Sequence, residues 1–327
     1  MIESYSKLML NKLNIKMKKI VMLIAAVAMS ASVAFAQDIN AVTEIYNNGA
    51  MELEMGNKEA ALGYFQSAVT EAEALGEAGA EIIANCQMMI PAVMISLAND
   101  FIEENNLDAA MEWLAKAEET ATAYGDTNNL SKATEKKQQV LMKKAAGLLK
   151  AKDYANSIVI YEQIMAAEPN NGRAALQMGQ AYNASGNQEK AEEAFNIAAA
   201  NGQEKQAYKQ LSNLYVKKAS AALKEKNTQD AYNFAVKSNE YLENANAYKI
   251  AGQCAMSLGN SAEGILLLEK YVELSPNAKD ANQMRFNIAA TAQKAGDKEK
   301  AKAYYEQVLS DPKLGAAAKQ QFDALNK

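Results

Sequence analysis

The 327-residue sequence contains no histidine and only two cysteines. The commonest general base, the usual activator of a nucleophile and the most frequent metal ligand are therefore all missing. No G-x-S-x-G, P-loop or dinucleotide fingerprint occurs either. Carboxylates that stand together, such as Glu103-Glu104, Glu118-Glu119 and Glu192-Glu193, are sequence neighbours on helical segments, so their side chains diverge and serve as solvated charge. The residues left to do chemistry are cations and amides that recur at helical intervals of three, four and seven. Lys143 and Lys150 form one such stripe, and Arg173, Gln177 and Gln180 a second. Lys217 with Lys224, Lys249 with Gln253, and Asn287 with Lys294 continue the series. Their chemistry is non-covalent capture of an anionic segment. The sequence predicts no catalytic residue, no metal site and no cofactor.

The elements that must carry these stripes follow from a second set of spacings. Between Gly172 and Lys205, Gly179 and Tyr182 lie three apart and Gly186 follows at four. Ala191, Phe195 and Ala198 come at five, four and three. Two helical spacings flank one glycine turn, with small residues where the backbones must approach and large ones beside them. The pattern repeats along the chain. Gly49, Gly56, Ala61, Phe65 and Ala68 form a first unit, and Ala98, Phe101, Ala110, Leu114 and Ala117 a second, with Asn105 at the turn. A third runs through Lys152-Asp153-Tyr154 and Tyr161. The fifth unit, Ala219, Ala222, Ala231, Ala235 and Ser238, has only small residues and Lys226-Asn227 for its turn. Gly252, Gly259 and Leu268 mark the sixth, and Ala292, Gly296, Ala301 and Tyr305 the seventh.

M-G-x2-Y in one helix and A-x3-F in the next resemble a tetratricopeptide repeat, a unit of 34 residues. The resemblance implies an all-α, right-handed solenoid of about seven helix-turn-helix repeats whose first helices line a concave groove. The stripes named above would then face that groove, together with Gln139 and Met142, Asn213 and Val216, and Gln283 and Phe286. Seven of the groove positions are cationic, and two, Glu54 and Glu103, are acidic. Members of the family that clamp a peptide's terminal carboxylate use Lys and Asn in one unit, Asn in the next, and Lys and Arg in a third. Lys249, Gln253 and Asn287 match that clamp only in part.

The units are unevenly spaced. Extra residues from Glu77 to Ile90 and from Gly125 to Lys137 are helix-compatible and predict longer helices in the first two hairpins, residues 37–137, followed by five shorter repeats in 138–313. Pro91 then falls inside a helix and predicts a bend. Leu314, Ala318, Phe322 and Leu325 place one apolar stripe on a capping helix, 314–327, which covers the open face of the last repeat. Trp113 falls on the apolar face of the second unit and predicts core packing. Cys86 and Cys254 lie four repeats apart, tens of ångströms with helix layers ~8–10 Å apart, too far for a bridge of ~5.5 Å between Cα atoms. Both are expected as buried free thiols, with pairing between molecules as the alternative.

Residues 1–36 have the order of a secretory signal: Lys18-Lys19, ten apolar residues from Ile20 to Met29, then Ala34-Phe35-Ala36 before Gln37. Ten apolar residues cannot cross a hydrocarbon core of ~30 Å. A signal starting at Met17 would be more compact. Cleavage between Ala36 and Gln37 removes five lysines and one glutamate and leaves 29 basic and 38 acidic residues, a formal −9, which excludes a nucleic-acid binder. The expectation is export to a bacterial periplasm, with release into the medium second, and no stable membrane insertion of the mature chain. The function expected is that of a non-catalytic scaffold for protein–protein interactions in the cell envelope, holding an anionic segment of another envelope protein in a basic groove. The competing expectation is a structural or assembly subunit acting through its outer faces or its N-terminal end.

Overall fold

A computed structural model describes residues 33–326, with side chains from Asp38 onward. Most of the expected signal segment lies outside the described residues; Ala36 and Gln37 fall within the backbone of the first helix. The chain forms two compact units that divide between Lys144 and Ala145, and every regular element in the described residues is helical.

The first unit holds α1 (Val33–Glu54), α2 (Lys58–Ala74), α3 (Ala80–Glu103), α4 (Leu107–Ala123) and most of α5 (Thr127–Lys150). Helices α1 to α4 pack as successive hairpins, and α1 also touches α3. Their core is built from Tyr46, Phe65, Ile90 and Leu114, with Cys86 free and buried among them. The long first helices are the 24-residue α3 and α5, so the position 137/138 falls inside α5. Helix α3 continues through Pro91. A proline removes the donor for the carbonyl of Gln87, and one residue on, the Met88 carbonyl accepts from the buried Asn129 of α5 at 3.1 Å. Although α3 is long and apolar enough to cross a membrane, Ile82, Ile90, Val93 and Leu97 bury its apolar side in the core of this unit. Trp113 is half-buried against the same core, with Lys116 Nζ 4.6 Å above its ring.

The second unit continues with α6 (Tyr154–Ala167), α7 (Gly172–Ser185), α8 (Gln188–Ala198), α9 (Glu204–Lys224), α10 (Thr228–Tyr241), α11 (Ala245–Ser257), α12 (Ser261–Leu274), α13 (Ala281–Lys294), α14 (Lys298–Glu306) and α15 (Gly315–Leu325). Each helix packs on the next, and α7, α9 and α11 also touch one another in sequence. These first helices form one layer and the second helices another. The last helix, α15, buries Ala318 and lays Leu314, Phe322 and Leu325 on the terminal core cluster.

One turn design closes every hairpin. Gly56, Asn105, Lys152, Gly186, Lys226, Gly259 and Gly296 are all left-handed, with φ from 60 to 95°, and each is followed by Asn or Asp. The amide of that next residue reaches back five places, as Asn106 N–H does to the Phe101 carbonyl at 2.8 Å and Asn187 N–H to the Tyr182 carbonyl at 2.9 Å. This satisfies a carbonyl that the helix end leaves unpaired. In five of the seven turns the same Asn or Asp then caps the following helix: Asn106, Asp153, Asn187, Asn227 and Asp297 each accept from the backbone amide three residues on. A side-chain cap of this kind contributes ~1 kcal/mol.

The close approach within hairpins is set by glycine against a large side chain sixteen residues later. A Cβ on Gly179 would lie 2.6 Å from the Phe195 ring, and one on Gly252 would lie 2.8 Å from Leu268. The weak fifth hairpin holds together differently. Its small residues let α9 and α10 approach until the buried Ser212 and Ser238 hydroxyls meet at 2.9 Å, while Tyr215 packs against Phe234 and Tyr241 at 6.1 and 5.8 Å outside the expected register.

Candidate partner-binding face

The second unit separates charge by layer. Its first helices, α7, α9, α11 and α13, with the end of α5 from Ala145, carry ten basic residues and one acid, Glu204. Its second helices, α6, α8, α10, α12 and α14, carry eleven acids and six bases. The two layers thus have opposite sign within one fold.

Three of the ten cations are engaged inside the fold. Lys218 pairs with Glu192 at 2.6 Å and lies over the Tyr215 ring. Burial pushes the Glu192 carboxyl up, but the hydrogen bonds from Lys218 and Tyr215 outweigh it and hold the group below its ordinary range. Lys249, expected as a groove cation, pairs with Asp280 at 2.9 Å and lies 5.3 Å from the centre of the Tyr271 ring. Arg285 binds the Asn282 side chain at 2.8 Å and the Pro276 carbonyl at 3.0 Å. Seven cations remain exposed without an ion pair among the described residues. Lys150, Arg173, Lys217, Lys224 and Lys294 were expected from their spacing, whereas Lys205 and Lys209 were not. The latter two lie on an N-terminal extension of α9, which has 21 residues where α7 has 14. The wide spacing of this repeat was the signal for them.

The expected amides divide in the same way. The Gln177 carbonyl accepts from the buried Tyr161 hydroxyl, which burial pushes up to about 12 while nearby Arg173 pulls it down. Asn287 accepts from Gln283 at 3.0 Å, and Gln253 is exposed with its amide 3.5 Å from the Met284 sulfur. Gln180 is half-buried on the same layer. Lys143 belongs to the first unit, exposed, with its ammonium 3.2 Å from the Ile102 carbonyl. With Lys249 paired and Gln253 turned to a sulfur, the partial carboxylate clamp is not assembled. Among the described residues no group of three His, Cys, Asp or Glu side chains is placed to hold a metal ion.

Residues 148–214 and 283–310 match tetratricopeptide repeat family models. These two stretches are similar to tetratricopeptide repeats. They cover α6 to α8 with the last residues of α5 and the first half of α9, and most of the seventh hairpin, less than a third of the chain. No curated protein matches the sequence. Among solved structures, that of the MamA protein is 19% identical with a TM-score of 0.37, over 55% of this chain and 94% of its own. YrrB, described as a TPR protein with an unusual peptide-binding site, is 18% identical with a TM-score of 0.36, over 58% of this chain and 97% of its own. TTC0263, a thermophilic TPR protein in Thermus thermophilus, is 16% identical with a TM-score of 0.27, over 57% of this chain and 98% of its own.

Proposed function

We propose that the chain is a non-catalytic interaction scaffold whose first-helix layer in the second unit binds an acidic segment of a protein partner. The observation that carries this reading is the separation of charge: ten bases against one acid on the first helices, seven of the bases exposed and unpaired among the described residues. Helix stability explains part of it, since Lys150, Lys224 and Lys294 lie in the last turns of their helices, where a cation contributes ~0.3–1 kcal/mol against the helix dipole. Arg173, Lys205, Lys209 and Lys217 lie outside last turns, and no such argument accounts for them. A patch of exposed cations acts mainly on encounter rate and on choice of partner, and its effect falls with salt. The signal-like order of residues 18–37 supports an envelope location, with export to the periplasm and cleavage before Gln37.

The test is titration of a fluorescent glutamate-rich peptide with the protein and with its Arg173→Glu, Lys217→Glu, Lys224→Glu triple variant. Binding that weakens with salt and falls at least tenfold in the variant supports the reading. Equal binding by both proteins, or none by either, overturns it.

A further inference from the structure

The charge of the chain is divided along its length as well as between layers. From Val33 to Asp126, the span of helices α1 to α4 and the cap of α5, there are 17 acids and only two bases, Lys58 and Lys116. From this region we propose the identity of the acidic partner: it is a second copy of this chain, whose α1–α4 hairpins dock on the basic first-helix layer of the next copy's second unit. The inference rests on the basic layer being a binding face.

Helix stability accounts for Glu59, Glu81 and Asp108, which lie in first turns, but not for the acids at helix ends. Two places before the left-handed turn residue, three of the five later repeats put Lys150, Lys224 and Lys294 and the other two the uncharged Ala184 and Ser257, while the first two hairpins put Glu54 and Glu103. A carboxylate in the last turn opposes the helix dipole, so the first hairpins carry acid where their own stability favours base. Nor is the charge neutralised locally. Asp100 is paired with Lys58, Glu118 with Lys137 and Asp108 with Lys144, but Glu44, Glu71, Glu81, Glu112 and Glu119 are exposed with no ion pair among the described residues. Two acidic regions repel, as do two basic layers, so only acid on base is attractive. That contact joins different surfaces of identical molecules, so copies either exchange it reciprocally in a two-fold dimer or add head to tail into rings or open filaments.

Sedimentation velocity of the purified chain tests the proposal. In low salt the mass is expected to rise above that of one chain as concentration rises. It is expected to return to one chain near 1 M salt, where the screening length falls to ~3 Å. Two variant sets then locate the contact. Lys205→Glu, Lys217→Glu, Lys224→Glu, Lys294→Glu inverts the basic layer; Glu71→Lys, Glu81→Lys, Glu112→Lys, Glu119→Lys brings the acidic stretch from −15 to −7. Each variant alone is expected to sediment as a single chain, and the two mixed are expected to associate. A wild-type chain that stays single at every salt and concentration overturns the proposal, as does association unchanged in either folded variant. A single chain that still binds the glutamate-rich peptide through its lysines sinks self-association and leaves the scaffold reading standing; failure of both removes both.

Discussion

At the scale of single residues, the fold depends on positions where backbone and side chain compete for the same space. Gly179→Ala would gain ~0.5–1 kcal/mol of helix propensity, yet its new methyl group meets the Phe195 ring at 2.6 Å, and overpacking costs ~1–3 kcal/mol. The expected result is a net loss of about 1–2 kcal/mol in denaturant unfolding. Gly63→Ala in α2 has open space around it, so the same change there is expected to stabilise by roughly 0.5–1 kcal/mol; two losses of equal size would contradict this packing. Lys226 is left-handed at φ 62°, which costs a side-chain-bearing residue ~1–2 kcal/mol, so Lys226→Gly is expected to raise the unfolding midpoint. These positions were legible because a glycine sixteen residues before a large side chain, and a small or polar residue at each turn, leave a trace in sequence. The partner of each charge was not legible. Nothing in the spacing of Lys249 shows that Asp280, thirty-one residues later, lies 2.9 Å from its ammonium.

At the scale of elements, tyrosine hydroxyls and carboxylates tie helices together across the layers. Tyr182 donates to Glu162, Tyr215 to Glu192 at 2.5 Å, and Tyr271 to Asp280. Burial and the neighbouring carboxylate push Tyr271 up to about 12, and burial, with a smaller contribution from Cys86, pushes Tyr46 up to about 12. A tyrosine held protonated in the fold stabilises it below the ordinary value near 10 and loses that contribution as pH rises toward 12. The Tyr271 hydrogen bond, then Lys249, hold Asp280 below its ordinary range against burial, and Glu192 is likewise lowered. Their contribution is present above the unfolded carboxylate value near 4 and is lost as pH falls below it. Circular dichroism across pH should therefore show helix loss at both ends, the alkaline limb coinciding with late tyrosinate absorbance. Tyrosinate forming near pH 10 in a fully helical protein would contradict these ties. The fifth hairpin shows why element detail escaped the sequence: its aromatic residues, Tyr208, Tyr215, Phe234 and Tyr241, pack outside the repeat register.

At the scale of the whole molecule, repeat architecture and charge are separable properties, and only the first follows from the repeat pattern. Hairpin number and the terminal cap were legible because apolar spacing and turn residues are local signals. The layering of charge emerged only when each helix was assigned to its layer, since Lys205 and Lys209 belong to a helix longer than its repeat predicts. The exposed first-helix layer of the second unit is the face we propose a partner occupies, and the second-helix layer, with exposed Val159 and Leu266, is not. The most direct measurement places a photo-crosslinking residue at Lys217 in one strain and at Leu266 in another, each at native expression in the producing cell. A protein adduct from position 217 and none from 266 is the predicted result; an adduct from 266 alone would contradict the account.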